Sequence, residues 1–251
     1  MSKPDCIELP TGDKIPILYE DRSIIAIDKP HGWMLVPFSW QRTGRNLQAA
    51  LSSSIAAGDF WARSRNLKFL RYVHRLDAET TGILLFARSP GALNAYSDLF
   101  ESRRMEKVYL AVVHGTPKQS KWTCRLKIGP DPRRRGRMKV DSRHGKPAET
   151  EFRRLDSAEQ CSLVEARPFT GRTHQIRVHL AESGCAVVGD ELYGPPGDSD
   201  AELGLRAVQL AYQDPFTRRP VRIGAPVEEF CREYGFTVPR QASGNRSKFV
   251  D

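Results

Sequence analysis

Asp77 stands two residues after Arg75 in the stretch RYVHRLDAETTGILLFAR, Arg71 to Arg88, and His74, Glu79, Thr80 and Thr81 complete a segment too polar for a core. GILLFA, Gly82 to Ala87, follows as a compact apolar run of the kind that forms a strand buried on both faces, and Tyr72 with Val73 supplies a shorter run before it. An ionisable loop pinned between buried strands can hold a reactive carboxylate rigidly. A lone Asp equally suits a turn or a cap, since its carboxylate bonds nearby backbone N–H groups. Its company therefore decides.

Two other stretches carry side chains of the right type. KVYLAVVHG, Lys107 to Gly115, has the alternation of a strand in which Lys107, Tyr109, Ala111 and Val113 share one face, so Lys107 and Tyr109 project together. A strand tyrosine also serves packing alone. In PFTGRTHQIRVHLAESG, Pro168 to Gly184, Thr173 is the expected N-cap of a helix from His174 to Ser183, with Gly184 as its stop. Ile176 and Leu180 would face the core. Arg177 falls in the first turns, the wrong end for the helix dipole, which hints at an anionic partner elsewhere in the fold, the alternative being an exposed arginine with no consequential contact.

The elements that position these residues follow in order. A loosely held arm is expected before Ile15, then two strands, Ile15 to Tyr19 and Ile24 to Ile27, around the turn Glu20–Asp21–Arg22. Lys29 to Pro37 reads as a loop in which Lys29 is solvated or reaches a phosphate. A helix over Asn46 to Ala57 stops at Gly58, and the basic, aromatic WARSRNLKFLR is expected to lie on the surface, with contact to RNA as the alternative. Ser89 and Pro90 start an amphipathic helix that runs to about Ser102. Two strands, Glu149 to Leu155 and Ser162 to Arg167, precede the arginine helix; AVVGDELYGPP, a short strand into a polar turn, follows it. A hairpin of Leu205 to Tyr212 with Arg219 to Ile223, a helix over Val227 to Gly235 and a frayed tail close the chain.

Composition narrows the class. With 251 residues and 39% hydrophobic content the chain can bury a sizeable core, and its formal charge of +9 calls for an acidic partner, nucleic acid being the commonest. Residues 121–154 concentrate that charge, with twelve Lys or Arg against four Asp or Glu. The centre of that segment, PDPRRRGRMKV, has Pro and Gly breaks and no helical period, and is expected to be a mobile loop ready to settle on a phosphate backbone. The five cysteines are widely spaced, without metal-site spacing, and read as reduced thiols. No secretory leader or membrane-length apolar run is present, so a soluble, cytoplasmic protein is expected.

Together, HRLDAETTGILLFARS, KVYLAVVHG and GRTHQIRVHL, flanked by LYEDRSIIAIDKPHGW and VVGDELYG, resemble the signature segments of the RluA-type pseudouridine synthases over roughly Ile15 to Ile223. The resemblance implies an α+β fold: one domain with a central mixed, largely antiparallel sheet flanked by helices and loops, and an active site in a basic cleft. Residues 15–240 would form it, after an arm of residues 1–14 and before a flexible tail of residues 241–251. It implies isomerisation of uridine to pseudouridine in ribosomal or transfer RNA, without cofactor or metal. Asp77 matches the family's catalytic aspartate, Tyr109 its active-site tyrosine, Arg177 the base paired with that aspartate, and Arg75 the arginine inserted where the target leaves the stack. His74, Lys107 and Arg172 in the motifs, with Arg133, Arg134 and Arg135 in the basic loop, are candidate RNA contacts.

The chemistry suits this set. Exchanging an N1–C1′ bond for C5–C1′ needs a carboxylate that stays ionised, which a guanidinium favours, and a flat side chain that retains the detached base. Flipping the uridine costs about a few kcal/mol, which Arg75 would offset. Many relatives carry a small basic RNA-binding domain at the amino end; no such domain precedes Ile15 here, so target selection is expected from the catalytic domain's own surfaces, as a monomer. Two other classes remain: a non-catalytic RNA-binding or chaperone-like protein, and a glycosidase, which would need a second acid opposite Asp77, with Glu79 the nearest by sequence.

Overall fold

The computed structural model describes residues 3–9, 11–35, 45–197 and 201–238. Along the chain run β1 (Cys6–Glu8), β2 (Lys14–Glu20), β3 (Ile24–Lys29), α1 (Leu47–Ala57), α2 (Phe60–Arg63), β4 (Arg71–Tyr72), β5 (Thr81–Ala87), α3 (Pro90–Glu101) and β6 (Glu106–His114). Then come β7 (Lys121–Cys124), β8 (Ile128–Pro130), β9 (Met138–Val140), β10 (Thr150–Ser157), β11 (Cys161–Pro168), α4 (Gln175–Glu182), β12 (Leu205–Gln213), β13 (Pro220–Gly224) and α5 (Glu228–Glu233).

Eleven strands form one mixed sheet in the order β1-β2-β3-β5-β12-β6-β11-β10-β7, with β13 on β12 and β4 on β5. Among the described residues every pair is antiparallel except β5 with β12. The expected mixed, largely antiparallel sheet is therefore present. Strand alternation sends side chains to two faces. On one face Ile25, Ile27, Leu84, Phe86, Tyr109, Ala111 and Val113 pack with Leu47 and Leu51 of α1, Trp61 of α2 and Ile176 and Leu180 of α4. On the other, Ile83, Leu85 and Ala87 pack with Tyr96 and Leu99 of α3, while Val108, Leu110 and Val112 pack with Phe230 and Cys231 of α5. The GILLFA run is buried from both sides, as its composition predicts.

Local signals hold at the helix ends. Asn46 caps α1 by accepting from Ala49 N, and Gly58 ends that helix in the left-handed conformation. Ser89 caps α3 by accepting from Ala92 N, with Pro90 in its first turn. At Gly82, φ is +100° and an added Cβ would meet the Ala207 carbonyl oxygen at 2.1 Å. Only glycine permits this approach of β5 to β12, whose pairing lasts two positions, Thr81 with Arg206 and Gly82 with Ala207.

Several expectations are corrected. The amino-terminal arm is not loose: Cys6–Glu8 forms β1, paired with β2, and Ile7 is fully buried. The basic, aromatic stretch after α1 is not merely superficial, because Trp61 and Arg65 are buried and Arg65 Nε donates to Glu20 at 2.5 Å. Lys29 neither sits in water nor reaches outward. The loop of residues 131–137 is a hairpin tip between β8 and β9, stapled by the Asp131–Arg137 pair at 3.9 Å and by Met138 N donating to Tyr193 Oη at 2.8 Å. The expected loop beyond Leu35, the arm's first residues and the tail of residues 241–251 lie outside the described residues. No helix among the described residues is long and apolar enough to cross a membrane.

Candidate active site

A cavity of about 600 Å³ opens at the short β5–β12 seam, within the size range of small-molecule sites. The β4–β5 loop contributes His74, Arg75, Leu76, Asp77 and Thr80; β6 contributes Lys107 and Tyr109; the segment entering α4 contributes Arg172, Thr173, His174 and Arg177. The three sequence segments thus converge, although Asp77 and Arg177 stand 100 residues apart.

Arg177 is buried and pointed at two carboxylates. Its Nε and Nη2 each donate to Asp190 at 2.7 Å, and its Nη1 donates to Asp77 Oδ2 at 3.2 Å. Burial by itself would lower the guanidinium pKa, but the Asp190 hydrogen bond and charge, with those of Asp77 and Glu79 added, hold it above its usual value. Asp190 also accepts from the backbone N–H groups of Leu192 and Tyr193, which locks the GDELY turn beneath the arginine. The anionic partner expected from the arginine's position in the helix exists: two carboxylates accept its hydrogen bonds, and Glu79 is a third at 3.9 Å.

Thr173 is not the N-cap of α4. His174 occupies that position with φ +54°, and its Nδ1 lies 2.8 Å from Tyr193 Oη while Nε2 lies 3.9 Å from Asp77 Oδ1. Burial, partly countered by Asp77, keeps the His174 pKa below its ordinary value. Among the described residues no side chain caps the first turn of α4; Gln175 instead ties down the chain ahead of the helix by accepting from Arg172 N at 3.0 Å. Gly184 ends the helix region as expected, at φ +78°.

Beneath the loop, Lys29 Nζ donates to the carbonyls of Ala78 at 2.7 Å and Pro30 at 2.9 Å, and Gly32 N–H donates to the same Ala78 carbonyl at 2.9 Å. The residue after Asp77 is therefore tied down from below. Burial pushes the Lys29 ammonium down to about 8 despite the nearby Glu79 and Asp77 charges.

Tyr109 lies on the cavity wall. Burial, with the Asp77 charge adding to it, raises its phenol above the ordinary value, so it is a neutral ring at physiological pH. His74 is a structural ring: its Nε2 accepts from Leu85 N at 3.2 Å, it stacks on Phe100 at 4.5 Å, and burial pushes its pKa down to about 3. His74 therefore enters the cavity wall as a neutral ring, so any contact it makes with RNA is not one of charge. Arg75 is exposed and carries no ion pair among the described residues. Arg172 is part-buried, its Nε donating to Pro147 O at 3.0 Å. Arg133 and Arg134 are exposed on the hairpin tip, and Arg135 with Gly136 lines a second hollow shared with Arg75, Asp77, Glu79 and Arg177.

Sequence reasoning missed Asp190, Tyr193 and the role of Lys29. GDELYG and DKPHG were visible as polar turns, but their partners lie across the sheet. Glu79, the candidate second acid, approaches the same guanidinium nitrogen as Asp77, at 3.9 Å, and does not line the cavity that holds Tyr109.

The family model described as RNA pseudouridylate synthase matches residues 23–182. The "Ribosomal large subunit pseudouridine synthase C" of Yersinia pestis is 33% identical over 240 residues, covering 90% of this chain and 70% of the relative. The "Dual-specificity RNA pseudouridine synthase RluA" of Vibrio cholerae is 33% identical over 204 residues, covering 80% and 78%. The solved structure of "Human RNA Pseudouridylate Synthase Domain Containing 1" aligns with a TM-score of 0.68 at 26% identity, over 85% of this chain and 84% of that one.

Proposed function

The chain belongs to the RluA-type RNA pseudouridine synthases, isomerases acting on RNA, and on that premise we propose that it converts specific uridines of large-subunit ribosomal RNA to pseudouridine, with Asp77 as the reacting carboxylate. The observation that carries this is the placement of Asp77 at the cavity mouth, 3.2 Å from a buried guanidinium that is itself fixed by Asp190. Of the two carboxylates lining the cavity, Asp77 and Glu101, only Asp77 is so paired.

In the proposed reaction the uridine leaves the RNA stack and enters the cavity, while Arg75, exposed at its rim, takes the vacated space. The N1–C1′ bond breaks, the uracil turns within the cavity, and C5 bonds to C1′. The proton lost from C5 is matched by one gained at N1, so no co-reactant is consumed. Asp77 supplies the negative charge that drives glycosidic cleavage, and Arg177 holds that carboxylate in place. The neutral Tyr109 ring retains the base by stacking. Lys29 and Gly32 keep the loop from yielding when the substrate pushes on it.

Ribosomal RNA is favoured over transfer RNA by the activity for which the Yersinia pestis relative is named, and it fits a cytoplasmic protein. Site-resolved pseudouridine mapping of ribosomal and transfer RNA, from cells lacking the protein and complemented with wild type or Asp77→Ala, tests the proposal. Loss of a ribosomal site restored only by wild type supports it; a transfer-RNA site moves the substrate; an unchanged map overturns the activity.

A further inference from the structure

Arg103 and Lys107 bring two cations to the wall of the cavity that also holds Asp77 and Arg177. Lys107 Nζ uses one of its three donors on the Thr170 carbonyl, at 3.1 Å, and among the described residues neither cation has an ion-pair partner. Glu101, on the same cavity wall, pairs with neither. Like charges brought together at a partly desolvated site without a counter-charge are unfavourable unless an anion joins them. Burial, with the Arg103 charge adding to it, pushes the Lys107 ammonium down to about 8.

Arg103 has a second peculiarity. It follows α3 in the left-handed conformation, φ +58°, the position that glycine usually fills after a helix. Its backbone N–H bonds Phe100 O at 3.3 Å, and Arg104 N–H bonds Leu99 O at 2.9 Å, so the conformation is part of the helix ending. A cation at a helix C-terminus suits the dipole, but any neighbouring exposed position would serve that purpose without the backbone cost of about 1–2 kcal/mol. The strain is tolerated at a position whose side chain lines the same cavity as Lys107.

We infer that Arg103 and Lys107 form an anion subsite that grips a backbone phosphate flanking the target uridine. Lys107 and Tyr109 project from the same face of β6, about 6.6 Å apart along the strand, so a base stacked on Tyr109 leaves its own phosphodiester within reach of the pair. Asp77 then handles the glycosidic bond while the two cations anchor the backbone, which fixes the nucleotide at two points. This assignment deepens the proposed synthase activity and rests on it.

The test is a protein–RNA double-mutant cycle on a short RNA carrying the uridine identified by mapping. The phosphodiesters on its 5′ and 3′ sides are replaced, one at a time, by a neutral methylphosphonate. Wild type, Lys107→Met, Lys107→Arg and Arg103→Gly are compared by kcat/KM, KM and thermal melting. The mapping itself decides whether the proposed activity stands, and the cycle uses an RNA on which wild type forms pseudouridine, so that it reads the subsite alone. With activity present, Lys107→Met should lose on the order of ten- to a hundred-fold in kcat/KM, as expected for a charge-assisted bond to phosphate. One neutral linkage should cost wild type a similar factor and cost Lys107→Met almost nothing further. Lys107→Arg should recover most of the loss, and Arg103→Gly should raise KM several-fold while melting no lower than wild type, because glycine suits that backbone. Multiplying losses at both linkages, or wild type indifferent to both, would overturn the subsite.

Discussion

Arg177 and Asp190 form a bidentate pair, Nε and Nη2 each 2.7 Å from a carboxylate oxygen, and this leaves only Nη1 for Asp77 at 3.2 Å. The division of labour is geometric. Asp190, with a fully buried side chain, neutralises and orients the guanidinium, and the outward nitrogen meets a carboxylate that substrate can still approach. A guanidinium shared this way holds the proposed reactive carboxylate without closing it off.

Asp190→Asn should therefore act on folding and catalysis together. Breaking a buried pair from one side costs about 3–5 kcal/mol, and here Asp77 offsets part of that. Urea denaturation should show a loss near the lower end of that range, with kcat falling at least tenfold and RNA affinity within a few-fold of wild type. A variant as stable and active as wild type would show that the Asp77 contact alone orients Arg177.

Lys29 gives a pH signature. Its folded pKa of about 8 lies below the free value of 10.5, so between those limits the unfolded chain binds more protons than the folded one. The contribution of Lys29 to stability is thus absent below about pH 8, rises through the window and is complete above 10.5. Cys185, raised to about 11 by burial, works in the opposite sense at high pH, so the measurement is the difference between wild type and Lys29→Met. Stability of wild type relative to that variant should rise from pH 7.5 to 10 by guanidinium denaturation. A flat difference would mean that Lys29 titrates as if solvated.

Arg133, Arg134 and Arg135 crown the β8–β9 hairpin, whose base is held by Tyr193 and whose tip reaches the hollow beside Arg75. Reversing all three to Glu should weaken RNA binding and lower the slope of log affinity against log salt by about one unit for each phosphate no longer neutralised. The melting temperature should hardly move, because these side chains are exposed. Unchanged affinity and slope would remove the hairpin from the RNA-binding surface.

Much of this molecule was legible in its sequence because the signals are local. The unbroken apolar run Ile83 to Ala87 requires burial on both faces, Ser89–Pro90 and Asn46 start helices, and Lys107 and Tyr109 share a strand face by period alone. The resemblance of the three motifs named Asp77, Tyr109 and Arg177 as the candidate trio, and the dipole argument hinted at an anion for Arg177. Which anions those were, only the tertiary structure decided. Asp77 lies 100 residues from Arg177, and Lys29 reaches the Ala78 carbonyl across 49. The expected Thr173 cap gave way to His174 in a left-handed conformation, its ring between Tyr193 and Asp77, because tertiary partners there replace a local one. Lysine and histidine are polar in any sequence-based reading; Lys29 became structural because it is fully buried under the Ala78 loop, and His74 because it stacks on Phe100 and accepts from Leu85 N, and such contacts depend on tertiary packing, which no local pattern encodes.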